Sequence, residues 1–148
     1  MVGALFQDVS GINAGEHLGF EFAHRARVGT DVMTFTITDL GADNLLGGGN
    51  DSILFSKEYS ATTLGWEFNT SASEGPIVAM GNNIRFSYEA VSTGSGNLVR
   101  GNFIDAVSIG TVAVPEPSTA TLLGLAAFGL VFRRRRRCDV ANGKCVSR

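Results

Sequence analysis

Oxygen ligands for a hard cation gather in one stretch of the chain. Asp39, Asp43, Asn44, Asn50 and Asp51 fall within thirteen residues, with glycines between them. Calcium takes about six to eight oxygens from carboxylates, amides and carbonyls on a flexible loop. Asp39, Asp43, Asn50 and Asp51 are therefore candidate calcium ligands, set against an ordinary hairpin loop as the first reading. His24, Arg25 and Arg27 share one strand, and His17 lies near a turn. Such a group could hold an anionic or sugar ligand; a solvated strand edge is the plainer alternative. Trp66, Tyr59 and Tyr88 could stack on a sugar ring, with core packing as the first reading. No G-x-S-x-G, H-E-x-x-H or Ser-His-Asp spacing is present, so no catalytic residue is singled out. Two facing carboxylates for glycoside hydrolysis stay open, because acids are plentiful. Cys138 and Cys145, with no histidines beside them, are too few ligands for structural zinc and read as free thiols.

The elements that must position these residues read as strands. The 148 residues are 44% hydrophobic and 18% charged, with 19 glycines and 3 prolines, which suits one turn-rich domain plus a tail. Leu18, Phe20 and Phe22 alternate with polar neighbours, and His24, Ala26 and Val28 continue the face. Met33, Phe35 and Ile37 alternate after a turn at 29–31. Further strands are predicted over 52–59, 62–70, 77–80, 84–89 and 103–112, the last with apolar residues on both faces as if buried between sheets. Residues 1–17 are a loop or a partial first strand. Around seven short strands and no amphipathic helix predict an all-β chain, a β-sandwich of jelly-roll type over residues 1–112.

Charge is divided sharply. Residues 1–117 carry five basic and thirteen acidic side chains, a net −8; residues 118–148 carry seven basic ones against Asp139, a net +6. An acidic body argues against nucleic-acid binding, which needs a basic face. The positive charge lies instead beside an apolar run. Val114, Pro115, Glu116, Pro117 and Ser118 come first, and the two prolines favour an extended, accessible segment. Thr119–Phe132 is uncharged, and Arg133, Arg134, Arg135, Arg136 and Arg137 follow. As a helix, Ser118–Phe132 would span roughly 22 Å against a bilayer core of about 30 Å, a short transmembrane helix and a weak anchor. Arginines at its end predict a cytoplasmic tail and an exported body.

V-P-E-P-S, a short Leu/Gly/Ala-rich span and an arginine cluster, in that order, closely resemble the PEP-CTERM sorting signal, also known as an ice-binding-protein C-terminal motif. The resemblance covers residues 113–137. It implies an exosortase as partner, a membrane-embedded cysteine protease or transpeptidase, with Pro115, Glu116 and Pro117 as its recognition motif. It further implies a precursor held transiently in the inner membrane of a Gram-negative bacterium and released to the envelope or outside. Residues 138–148 extend beyond the usual end of such signals and read as a cytoplasmic extension. No signal peptide is visible after Met1, so an exported chain is expected to have its leader upstream. Leu46–Ile53 (LGGGNDSI) also looks like one degenerate RTX-type calcium nonapeptide, although such repeats bind by stacking. The body, through F-E-F-A-H-R-A-R and G-N-F-I-D-A-V-S-I, resembles galactose-binding-like, carbohydrate-binding jelly rolls.

These observations lead to a non-enzymatic surface or extracellular-matrix protein, with exopolysaccharide as a candidate partner and no cofactor beyond the calcium alternative. An exported hydrolase acting on polysaccharide is the competing expectation.

Overall fold

A computed structural model describes residues 4–113 of the chain. Eight strands form in order: β1 Leu5–Ser10, β2 His17–Arg25, β3 Thr30–Asp39, β4 Ser52–Thr62, β5 Glu67–Thr70, β6 Ile77–Val78, β7 Asn83–Ser92 and β8 Phe103–Thr111. A single 3-10 turn, Ser71–Ser73, follows β5, and the Thr70 side chain accepts from Ala72 N at its start. The sorting motif 114–118, the apolar run, the arginines 133–137 and the extension 138–148 lie outside the described residues. Among the described residues, no helix is long and apolar enough to cross a membrane.

The strands make two antiparallel sheets. One has the order β1-β7-β3-β4. In the other, β2 pairs with β5 through Glu21–His24, with β6 through His17 and Leu18, and with β8 through Leu18–Arg25. The all-β sandwich expected from the alternation is the observed architecture. The inward parity of β2 delivers Leu18, Phe20 and Phe22; that of β3 delivers Met33, Phe35 and Ile37; that of β7 delivers Ile84, Phe86 and Tyr88. All are buried. Rings interlock across the gap, with Phe20 4.5 Å and Phe22 5.4 Å from Phe35, and within the first sheet Tyr88 lies 4.8 Å from Phe35, its partner across β7 and β3. Phe22 also meets the ring edges of Tyr59 at 5.2 Å and Tyr88 at 5.3 Å. Each such side chain contributes about 1.5–3 kcal/mol by leaving water, and short strands have no stability without that shared core.

Three expectations need correction. Residues 62–70 are not one strand: β4 runs on to Thr62, a turn follows, and β5 begins only at Glu67. Residues 5–10 form a full strand, because β7 offers them a complete antiparallel partner from Leu5↔Tyr88 to Ser10↔Asn83. The last strand is not buried on both faces. It pairs with β2 alone, and most of its residues are exposed. Its mixed apolar pattern comes from a bulge: between the pairs Glu21↔Ser108 and Ala23↔Asp105, Ala106 and Val107 together oppose Phe22. The alternation therefore slips by one position.

That bulge puts Ala106 at φ 51°, a left-handed conformation that a Cβ disfavours. Ala106→Gly should relieve this and raise stability by roughly 0.5–1 kcal/mol, as read by denaturant melting. A destabilised glycine variant would show that the bulge carries no strain.

Candidate functional site

The cation-ligand candidates do not converge. Asp39 is buried, and its Oδ1 accepts from Gly41 N at 2.9 Å. Asp43 Oδ1 accepts from Leu45 N at 3.2 Å, and Asn50, with its amide turned to suit both neighbours, donates to the same oxygen at 3.1 Å. Asp51 Oδ2 accepts from Gly47 N. The structure thus brings Asp43 and Asn50 together, and ties Asp39 and Asp51 to separate turns. Among the described residues, no three His, Cys, Asp or Glu side chains gather in metal-binding range. A calcium ion at this loop would have to displace these N–H donors.

Strand parity also divides the His24, Arg25 and Arg27 group. His24 faces the core with no exposure, whereas Arg25 lies on the outer face and donates to Thr63 O at 3.1 Å. Arg27 is exposed in the turn beyond the strand. Tyr59 and Tyr88 are core residues, as first read, and Trp66 is 40% exposed.

Two arrangements were hidden in the sequence. One is a buried polar node. Asp31, with no exposure, accepts three backbone N–H groups: Arg27 at 2.9 Å, Gly94 at 2.8 Å and Asn102 at 2.9 Å. It thereby joins the β2–β3 turn to both ends of the β7–β8 loop. Gly94 must lack a side chain for this, since a Cβ there would overlap the Val28 carbonyl. Burial pushes the Asp31 carboxyl up, but the three donors, Asn102 first, outweigh it and hold the group below its ordinary value. Beside it, His24 Nε2 lies 2.7 Å from Asn102 Oδ1. An amide oxygen only accepts, so Nε2 carries the proton and Nδ1 is bare. Burial lowers the His24 pKa, against the opposing pulls of the Asn102 bond and the charges of Asp31 and Glu67. His24 Nδ1, Asn102 Nδ2 and Tyr88 Oη are buried and make no hydrogen bond. A cavity of about 330 Å³ opens there, lined by Leu5, Met33, Tyr88, Glu89, Asn102 and Phe103 among others. The only signal in the sequence was parity: Asp31 is in phase with Met33, Phe35 and Ile37, so its carboxylate had to enter the core.

The other arrangement is an aromatic outer face on the second sheet. Phe68, 79% exposed, stands opposite Ala23 across β5 and β2; Phe103, 47% exposed, stands opposite Arg25 across β8 and β2. Trp66 precedes Phe68 by two residues and adds a third exposed ring.

The class defined by these features is an antiparallel two-sheet sandwich with an aromatic outer face, followed by a processing tail. Comparison with known proteins bears on the tail first: the family profile for the PEP-CTERM protein-sorting motif matches residues 113–137. The profile agrees with the tail resemblance read from the sequence, and the motif implies an exported protein addressed to an exosortase. A search of curated proteins finds no match. A solved structure described as "CBM4 structure and function" is similar with a TM-score of 0.49 and 13% identity, covering 74% of this chain. The chain spans 61% of that structure's length.

Both His24 and Asp31 have folded values below their ordinary ones of 6.5 and 3.8. Each therefore contributes stability that is present above its unfolded value and lost as pH falls toward its folded one. The melting temperature should decline below pH 6.5 as unfolded chains capture a proton on His24, and again below 3.8 through Asp31. His24→Gln should remove the first decline. Identical melting profiles for wild type and variant over about pH 7 to 5 would refute the assignment.

Proposed function

We propose that this chain is a non-enzymatic surface or extracellular-matrix protein, exported and processed by an exosortase, whose sandwich holds polysaccharide on the outer face of its second sheet. The observation that carries the reading is the set of exposed rings, Trp66, Phe68 and Phe103, around Arg25. Exposed aromatic side chains on a sheet face are costly in water unless something covers them. The apolar C–H face of a sugar ring suits a flat aromatic surface, and Arg25 can donate to hydroxyl groups beside it. The acidic body also favours a neutral polymer over an anionic one.

An exported hydrolase is the competing reading. Retaining and inverting glycosidases need two carboxyl groups roughly 5–10 Å apart across a cleft. The cavity at the β8 entry has Glu89 as its one lining carboxylate, and the cavity at Gly19, Ser71 and Val112 has Glu21. Neither supplies a pair, which supports binding over hydrolysis.

Processing makes the first expected outcome. Mature protein from wild-type cells should lack residues 133–148 by mass spectrometry, and should keep them in a strain without the exosortase. Wild-type material that retains the arginines would refute processing. For binding, the full-length chain should co-sediment with exopolysaccharide from a producing bacterium and release no new reducing ends. Phe68→Ala combined with Trp66→Ala should weaken co-sedimentation by roughly tenfold or more, given about 0.5–1.5 kcal/mol per stacked ring beyond its buried area. Unchanged binding would remove the outer face from consideration, and new reducing ends would favour the hydrolase.

A further inference from the structure

The outer face suits a chain lying flat, but it does not explain the buried node beneath the β7–β8 loop. Tyr88 is only 6% exposed, and its hydroxyl makes no hydrogen bond. Asn102 Nδ2 is likewise buried and unpartnered. Leaving such groups unsatisfied costs about 1–3 kcal/mol each, so two of them beside one cavity call for an explanation.

Asn102 is held from three directions. Its N–H donates to Asp31 Oδ2 at 2.9 Å, its Oδ1 accepts from His24, and its backbone sits at φ 48°, where asparagine is tolerated better than most residues. With Oδ1 engaged, the direction of Nδ2 is set. This is the arrangement by which supporting bonds orient a ligand-binding group.

The lining narrows the ligand. Leu5, Met33 and Ile104 make apolar walls, Tyr88 and Asn102 offer a neutral hydroxyl and a neutral donor, and Glu89 is the one charged lining residue. A phosphate or carboxylate would meet a carboxylate and no cation. A metal ion would meet an N–H donor and hydrocarbon. Burial holds the Tyr88 hydroxyl up to about 12, so it stays protonated and can both donate and accept. The volume of about 330 Å³ is near the lower end for small-molecule sites, roughly 300–1,000 Å³, room for one ring and not for a chain.

We propose that the cavity between β7 and the start of β8 binds a single neutral pyranose unit through Tyr88 Oη and Asn102 Nδ2, with its C–H faces against Leu5, Met33 and Ile104. The proposal rests on the polysaccharide reading and adds to it a second site, selective for one sugar unit where the outer face takes the length of a chain.

The test is ligand-observed NMR on the full-length chain with methyl β-glucoside, methyl β-galactoside and methyl α-mannoside, beside co-sedimentation with the polymer. At least one glycoside should bind. Tyr88→Phe, which keeps the core ring and removes only an unpaired hydroxyl, should weaken binding by about threefold to tenfold. Ala90 also lines the cavity, so Ala90→Leu, which fills it, should abolish binding, and Phe68→Ala should leave it unchanged. If no glycoside binds, or if both cavity variants bind as wild type does, the proposal falls. Polymer binding with no glycoside bound overturns the cavity and leaves the outer face standing; glycoside binding with no polymer retention does the reverse.

Discussion

The Asp31 carboxylate is the constraint on which the β7–β8 loop end of the sandwich depends. A buried charge is tolerable only when donors replace the water it has lost. Here the donors are three backbone N–H groups from the β2–β3 turn and from the start and end of the β7–β8 loop. One side chain therefore determines where two separate connections meet. The position of Asn102 follows from it, then the tautomer of His24, then the shape of the cavity. Removing the carboxylate would free three N–H groups at once in a place that water reaches poorly, a larger penalty than losing an ordinary surface bond.

The aromatic residues divide by strand parity into two populations with different work. Phe20, Phe22, Phe35, Tyr59 and Tyr88 interlock between the sheets and supply the cohesion that strands of two to eleven residues lack alone. Trp66, Phe68 and Phe103 face outward around β2. The same chemistry is thus spent on folding in one direction and left available for contact in the other. Arg25 stands next to Phe103 on that outer face, while its neighbour His24 is sealed in the core, one residue away and on the opposite side of the sheet.

Much of the sandwich was legible because period-2 alternation needs no knowledge of partners. β2, β3 and β7 have uninterrupted inward faces, and the reading of each follows directly from its residues. β8 was misread because its bulge at Ala106 and Val107 mixes the two faces, which looks like burial on both sides. The Trp66 region was extended into a strand too early because aromatic residues suggest strand wherever they occur. The node around Asp31 was not legible at all as a site. Asp31 and Asn102 are 71 residues apart, and nothing near either one announces the other. The tail is the opposite case: its three elements act through order and spacing, so the sequence alone sufficed to recognise it.

The pairing of the earliest strands with the latest has a consequence for how the body matures. β1 finds its partner in β7, and β2 in β8, with Leu18 set against Thr111. Neither sheet can be completed until nearly all of residues 4–113 is present at one time. The loop-closure entropy of such distant pairings comes before any of the stabilisation they bring, which places the body among slow-folding, non-local topologies. The body therefore gains its full cohesion only once the strands at its C-terminal end are available to their N-terminal partners.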